Sequence, residues 1–175
     1  MEIKTKRLIL RDVRKEDAKD FVKAANSKEI NYFTAYIPHP LTLEKAEKMI
    51  KRMIEQGKSK RRRHCELAIT LKEEKKVIGM VNLYDIDYNS WKCKLGYWIG
   101  EDYRRCGYTE EACRAIIRFA FKKLKMHKIA ATTLIDNYSS NKLLKKLGFK
   151  KLAISKHDRC ICGKFCDCYL WEKIE

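Results

Sequence analysis

The spacing of apolar residues changes twice along this chain, and each change restricts the folds open to it. Leu43, Ala46, Met49, Ile50 and Met53 recur at intervals of three and four, the period of a helix with one buried face. Thr42 stands where an N-cap belongs, and Gly57 ends the run. From Cys65 the pattern becomes that of strands: Glu66 to Leu71, Lys76 to Tyr84 and Cys93 to Ile99, divided by charged or Asn-Ser turns, predict an antiparallel meander. The helical period returns at Ala112, Ile116, Phe119, Ala120 and Leu124, with Thr109 as the expected cap. Glu110 and Glu111 fall in its first turn, where the helix dipole favours anions.

Both ends of the chain repeat the alternation. Arg7 to Arg11 reads as a short strand and Asp17 to Asn26 as a helix; Lys128 to Ile135 reads as a strand, and Ser139 to Leu147 as a helix with Gly148 in its left-handed C-terminal position. Phe149 to Ile154, then a hairpin through Arg159 to Trp171, return to strand. No repeat or linker interrupts this order, so residues 1–175 are expected to form a single α+β domain. A chain of 175 residues can bury one substantial core and is too short to hold two ordinary domains.

Forty basic against 23 acidic side chains leave a net charge of +17. Such a field attracts nucleic acid, a ribosome surface or a polyphosphate and repels a polyamine. The run Lys58 to Arg63 reads equally well as a solvated loop. No apolar stretch approaches the roughly 20 residues of a membrane span, so a cytoplasmic protein without membrane contact is expected.

The most informative segment is Gly96 to Ala112, a strand, a short loop and a helix start. Backbone N–H groups at a helix N-terminus converge on one point and suit a pyrophosphate, and a glycine lets the backbone come close. Arg104-Arg105-Cys106-Gly107-Tyr108-Thr109 resembles the Q/R-x-x-G-x-G/A acetyl-CoA loop of the GNAT superfamily, with Thr109 in place of the last Gly or Ala. Downstream, Asn137 and Ser140, followed by Gly148-Phe149, resemble the N-x-x-S and G-F signature of the same superfamily. Thr5 to Arg11 resembles the T-x-R-L-x-L-R opening of its RimJ/RimL-like branch, which acts on ribosomal-protein N-termini. Pro38-His39-Pro40 and Gly163 to Asp167 extend the likeness over nearly the whole chain.

The resemblance implies the GNAT fold: a central mixed, mostly antiparallel twisted sheet of about six to seven strands flanked by helices. A V-shaped splay would separate the fourth strand, ending at Ile99, from the fifth, starting near Ile129. It implies acetyl-CoA as cosubstrate, its pantetheine along Trp98, Ile99, Asn137, Ser140 and Asn141, and its pyrophosphate on Arg104, Arg105, Cys106, Gly107, Tyr108 and Thr109. A primary amine would attack the thioester directly. The Tyr97 backbone N–H would stabilise the oxyanion and Ser140 would protonate the departing thiolate. Tyr138 is a weaker candidate for that proton. A peptide α-amine, with a pKa near 7.7 to 8.0, asks less of the enzyme's base than a lysine near 10.4.

The base itself departs from the family pattern, because its two usual carboxylate positions hold Lys94 and Arg159. Asp158, Glu66 or a water relay remain as candidates. The family also does not explain Cys160, Cys162, Cys166 and Cys168. Free buried thiols, disulfides within the cluster or to Cys65, Cys93, Cys106 or Cys113, and, least favoured, a metal site are the readings open to them. Rival functions are a small-molecule amine acetyltransferase, a non-catalytic acetyl-CoA-binding protein and a basic module for RNA or the ribosome. A monomer or homodimer is compatible with all of them.

Overall fold

The computed structural model describes residues 1–34 and 36–175. In chain order the elements are β1 (Glu2–Lys4), β2 (Leu8–Asp12), α1 (Ala18–Ala25), α2 (Lys28–Thr34), α3 (Leu43–Gly57), β3 (Cys65–Leu71), β4 (Val77–Asp87) and β5 (Lys92–Ile99). After them come α4 (Tyr108–Lys122), β6 (Lys128–Leu134), α5 (Tyr138–Lys146), β7 (Lys150–Ile161) and β8 (Lys164–Ile174). The strands form one sheet in the order β1-β2-β3-β4-β5-β6-β8-β7. All neighbours are antiparallel except β5 and β6.

That parallel pair positions the site. β5 and β6 are joined only at Lys92–Lys128, Cys93–Ile129 and Lys94–Ala130. Beyond Lys94 the two strands separate, so the β5 edge from Leu95 onward and the β6 edge from Ala131 onward face each other without ladder bonds. This is the expected V. It lies between the fifth and sixth strands because the three-residue β1 precedes the strands that the sequence makes evident, bringing the sheet to eight.

Strand alternation sends side chains to two separate cores. Leu67, Val81 and Leu95 pack with Ile116, Ala120 and Phe121 of α4. Ala68, Met80 and Trp98, at the opposite parity on the same strands, pack on the other face with Phe21 of α1 and Ile50 and Met53 of α3. The sheet is therefore a wall with α4 behind it and α1 and α3 in front.

Thr42 caps α3 as expected, its hydroxyl accepting from the Lys45 N–H at 3.3 Å. Thr42→Ala should cost about 1 kcal/mol, which a chain of this size shows as a fall of roughly 2–4 °C in Tm. Thr109, by contrast, is not a cap. Gly107, at φ 78°, turns the chain directly into α4, which starts at Tyr108, two residues earlier than a Thr109 cap implies, and has no side-chain cap. The short α2 carries too few apolar residues to show a period and was not evident in the sequence.

The C-terminal hairpin turns on Cys162 and Gly163, both at positive φ, the two-residue turn that suits the strands' twist. Ile161 then faces Lys164, Cys160 pairs with Phe165, and Cys166 pairs with Arg159. Cys160 and Cys166 thus lie on opposite faces of the ribbon. Cys168 is buried, Cys160 and Cys162 are exposed, and all eight cysteines are free thiols.

Part of the basic run after α3 is anchored and not merely solvated. Arg62 pairs with Asp12 at 2.5 Å, and the Arg61 guanidinium lies 4.8 Å from the Tyr88 ring centre. Among the described residues no helix is long and apolar enough to cross a membrane.

Candidate active site

The loop from Arg104 to Thr109 sits at the wide end of the V, where β5 leads through a 3-10 turn at Glu101–Tyr103 into α4. Positive φ at Arg105 and Gly107 curls it back on itself. The first intrahelical bond is Glu111 N–H to Gly107 O at 3.1 Å, and with no side chain capping the helix the preceding amides keep their donors. A Cβ built on Gly107 would meet Arg7 Nη2 at 3.4 Å. It is the left-handed backbone at Gly107 that calls for glycine, and the cradle fits a phosphate-bearing ligand.

The loop is held from behind by the start of the chain. Glu111 accepts from the Thr5 hydroxyl at 2.7 Å, the Arg7 backbone N–H at 2.8 Å and Arg7 Nε at 2.7 Å. Arg7 also donates to Cys106 O at 2.9 Å and stacks on the Tyr108 ring at 4.5 Å. Burial alone would raise the Glu111 carboxyl, but these donors outweigh it and hold it below the ordinary carboxylate range. The two motifs singled out at Thr5 to Arg11 and Arg104 to Ala112 are therefore one physical unit. Arg104 is turned aside, bonded to Glu29 at 2.7 Å, while Arg105 is exposed at the loop's tip.

Across the V, Asn137 caps α5 by accepting from the Ser140 N–H at 3.1 Å. Ser140 Oγ meets the Tyr97 hydroxyl at 2.7 Å. The sequence points only to the backbone of Tyr97; the phenol is an addition, and its signal was the apolar alternation of β5, which turns Tyr97 toward α4 and the V. Burial pushes this phenol far above its ordinary pKa, so it stays protonated. It can hold the Ser140 oxygen by donating to it, leaving the serine proton available to a neighbour.

Two expected residues are otherwise employed. Asn141 is buried, accepting from Thr133 Oγ1 at 2.5 Å and donating to Leu134 O and Ile135 O at 3.3 and 3.0 Å. Its amide fastens α5 to β6. Tyr138 is 79 % exposed, outside the core.

The candidate bases separate as clearly. Lys94 is paired with Asp85 at 3.0 Å, and Arg159 donates to Phe33 O at 3.1 Å. Asp158 is exposed on the hairpin and accepts from the Ser155 hydroxyl at 2.6 Å. Of these, Glu66 is enclosed: its side chain is 12 % exposed, with Arg52 at 3.9 Å, and Oε2 has no hydrogen-bond partner among the described residues. Burial raises its carboxyl above the ordinary 4.5, partly offset by Arg52 and His64. A raised carboxyl pKa means that the folded state holds the proton more tightly, so stability present below the unfolded value is lost as pH climbs through the folded one. Glu66→Gln should therefore raise Tm at pH 7 by roughly 2–4 °C, the response to about 1 kcal/mol. The two melting curves should converge near pH 4.

With this geometry in place the comparisons are decisive. The model of the acetyltransferase (GNAT) domain matches residues 7–150. The chain belongs to the GNAT acetyltransferase family. It is 34 % identical over 96 residues to the [Ribosomal protein uS5]-alanine N-acetyltransferase of Escherichia coli (strain K12), a match covering 54 % of this chain and 50 % of that one. Its fold superposes on the ribosomal-protein-S5-alanine acetyltransferase of Vibrio fischeri with a TM-score of 0.85 at 24 % identity, over 99 % and 96 % of the two chains. It also superposes on the spermidine N-acetyltransferase of Vibrio cholerae in complex with CoA and spermine, with a TM-score of 0.80 at 18 % identity over 96 % and 95 %. This GNAT protein is an acetyl-CoA-dependent N-acetyltransferase, resembling ribosomal-protein acetyltransferases in both sequence and fold.

Proposed function

We propose that this acetyltransferase transfers the acetyl group of acetyl-CoA to the N-terminal α-amine of a protein or peptide, of the kind a ribosomal protein presents. The observation that carries the reading is the net charge of +17. It repels a polyamine acceptor but tolerates a chain end, and it suits an approach to ribosomal RNA and the proteins that bind it. The 34 % identity to an enzyme named for a ribosomal-protein alanine supports the same class.

In this reading the pyrophosphate rests on the α4 amides behind Gly107, with Arg105 beside it and Arg104 bracing the loop through Glu29. The pantetheine completes the unpaired edges of β5 and β6 near Trp98 and Ile99, with Asn137 at the lip of the V. The neutral amine adds to the thioester carbonyl, whose oxygen takes the negative charge and accepts from the Tyr97 backbone N–H. As the C–S bond breaks, the sulfur keeps the electron pair and takes the Ser140 proton, with Tyr97 holding the serine oxygen, and the proton shed by the newly acylated nitrogen restores the serine hydroxyl. Asn141 acts at one remove, by setting the position of α5.

The test measures CoA thiol release with three acceptors: an alanine-initiated peptide, the same peptide with a blocked N-terminus and an internal lysine, and spermidine. Turnover confined to the free α-amine is the expected result. Turnover of only the lysine peptide or spermidine would overturn the assignment.

A further inference from the structure

On the face of the sheet opposite α4, three buried polar atoms have no partner among the described residues: Glu66 Oε2, Asn82 Oδ1 and Trp98 Nε1. Asn82 is 8 % and Trp98 5 % exposed. Glu66 lies directly across from Asn82, and Asn82 from Gly96; Trp98 follows two residues later on the same face. The Tyr36 phenol lies alongside Asn82 and Trp98. Part of its side chain reaches solvent, since the residue is 46 % exposed, while burial pushes the hydroxyl up to about 12.

We propose that Glu66, Asn82, Tyr36 and Trp98 form the acceptor subsite, and that they read an α-amino group together with the carbonyl that follows it. The proposal rests on the N-terminal acceptor reading above. Three unpaired polar atoms in one buried place are costly unless a ligand satisfies them. A primary ammonium has three N–H donors, and the subsite offers three acceptors: Glu66 Oε2, Asn82 Oδ1 and the Tyr36 oxygen. Trp98 Nε1 can only donate. It therefore asks for an acceptor close to the amine, which the first carbonyl of a peptide supplies and a polyamine or a lysine side chain lacks.

Placement agrees with the reaction. Gly96 is two residues beyond Lys94, the last β5 residue paired with β6, so the row Glu66–Asn82–Gly96 ends at the crotch of the V. Two strand spacings put Glu66 about 10 Å from Gly96 between backbones. That leaves room for the amine between the carboxylate and a thioester lying in the V. Glu66 takes one ammonium proton, the freed nitrogen lone pair attacks the thioester carbonyl, and the carboxyl proton leaves to solvent. A cleft of about 200 Å³, lined by Asp12, Met53, Arg62 and His64, reaches Glu66 from the surface and provides that exit. Burial raises the Glu66 carboxyl above its ordinary range, and Arg52 and His64 are the charged neighbours that offset part of that rise.

The experiment compares alaninamide with isopropylamine, the same amine without its carbonyl, by CoA thiol release. Calorimetry confirms acetyl-CoA binding by each variant. Glu66→Gln should bind acetyl-CoA normally yet lose at least about 100-fold in kcat/KM for both amines, together with the rising acid limb of the pH profile. Trp98→Phe should shrink the preference for alaninamide over isopropylamine roughly tenfold, a ratio from which the different basicities of the two amines cancel. Asn82→Leu, as an independent variant, should raise KM for both amines about tenfold. Unchanged rates, an unchanged pH limb or an unchanged preference in folded variants would overturn the subsite while leaving an N-terminal acetyltransferase. Wild-type turnover of spermidine without any of alaninamide would overturn both.

Discussion

Gly107→Val is expected to raise the Kd for acetyl-CoA at least about 100-fold. Gly107 sits at φ 78°, a conformation in which a β-branched residue is a genuine outlier costing about 1–3 kcal/mol. The added Cβ would rest in contact 3.4 Å from Arg7 Nη2, and the γ-methyls beyond it would press on the clamp that ties Arg7 to Glu111 and to Cys106 O. Its methyl groups would also cover the uncapped amides of α4. Strain and obstruction thus act on the same atoms, whereas Gly107→Ala, with a single methyl, should cost about tenfold. Calorimetry at low and high salt checks this, because binding to a merely basic surface weakens as salt screens it and binding to a formed cradle persists. Affinity within threefold of the wild type would place the phosphates elsewhere.

Ser140→Ala is expected to lower kcat about 100-fold, in the range of a lost general acid, with the Kd for acetyl-CoA unchanged. The small side chain leaves α5 intact, since the Asn137 cap uses the Ser140 backbone N–H and not its hydroxyl. Tyr97→Phe should cost less, about tenfold, because it removes the group 2.7 Å away that orients the serine and not the donor itself. Single-turnover measurements separate the two effects from product release. Equal losses in the two variants would make the tyrosine the donor, and loss of acetyl-CoA affinity with retained turnover in Ser140→Ala would remove the serine from the chemistry.

Much of this was legible in the residues. The change of period at Cys65 and its return before Ala112 mark the order of helices and strands, because burial of one face leaves a regular trace. Gly107 and Asn137 declare themselves for a related reason: a sharp turn into a helix and a helix cap each accept few residue types. The acceptor face left no such trace. Glu66, Asn82 and Trp98 are 32 residues apart at their extremes, and only the register of β3, β4 and β5 brings them together. Each taken alone reads as an ordinary strand residue. The Thr109 cap was misplaced for a local reason, since a helix that begins on a left-handed glycine has no need of a hydroxyl. The short β1 and α2 bury too little to imprint a pattern.

Three rungs hold β5 to β6, and the consequence concerns the molecule's mechanics. The sheet is in effect two panels, β1 to β5 and β6 to β8, hinged along one short seam with facing backbone edges beyond it. A cosubstrate that bonds to both edges acts as a removable strand and closes the panels into one plate. Hydrogen exchange at Leu95 to Ile99 and Ala131 to Leu134 should therefore slow when acetyl-CoA enters, while the β3–β4 ladder barely responds. Departure of CoA then requires unzipping those bonds, so its release and the breathing of this hinge are one event.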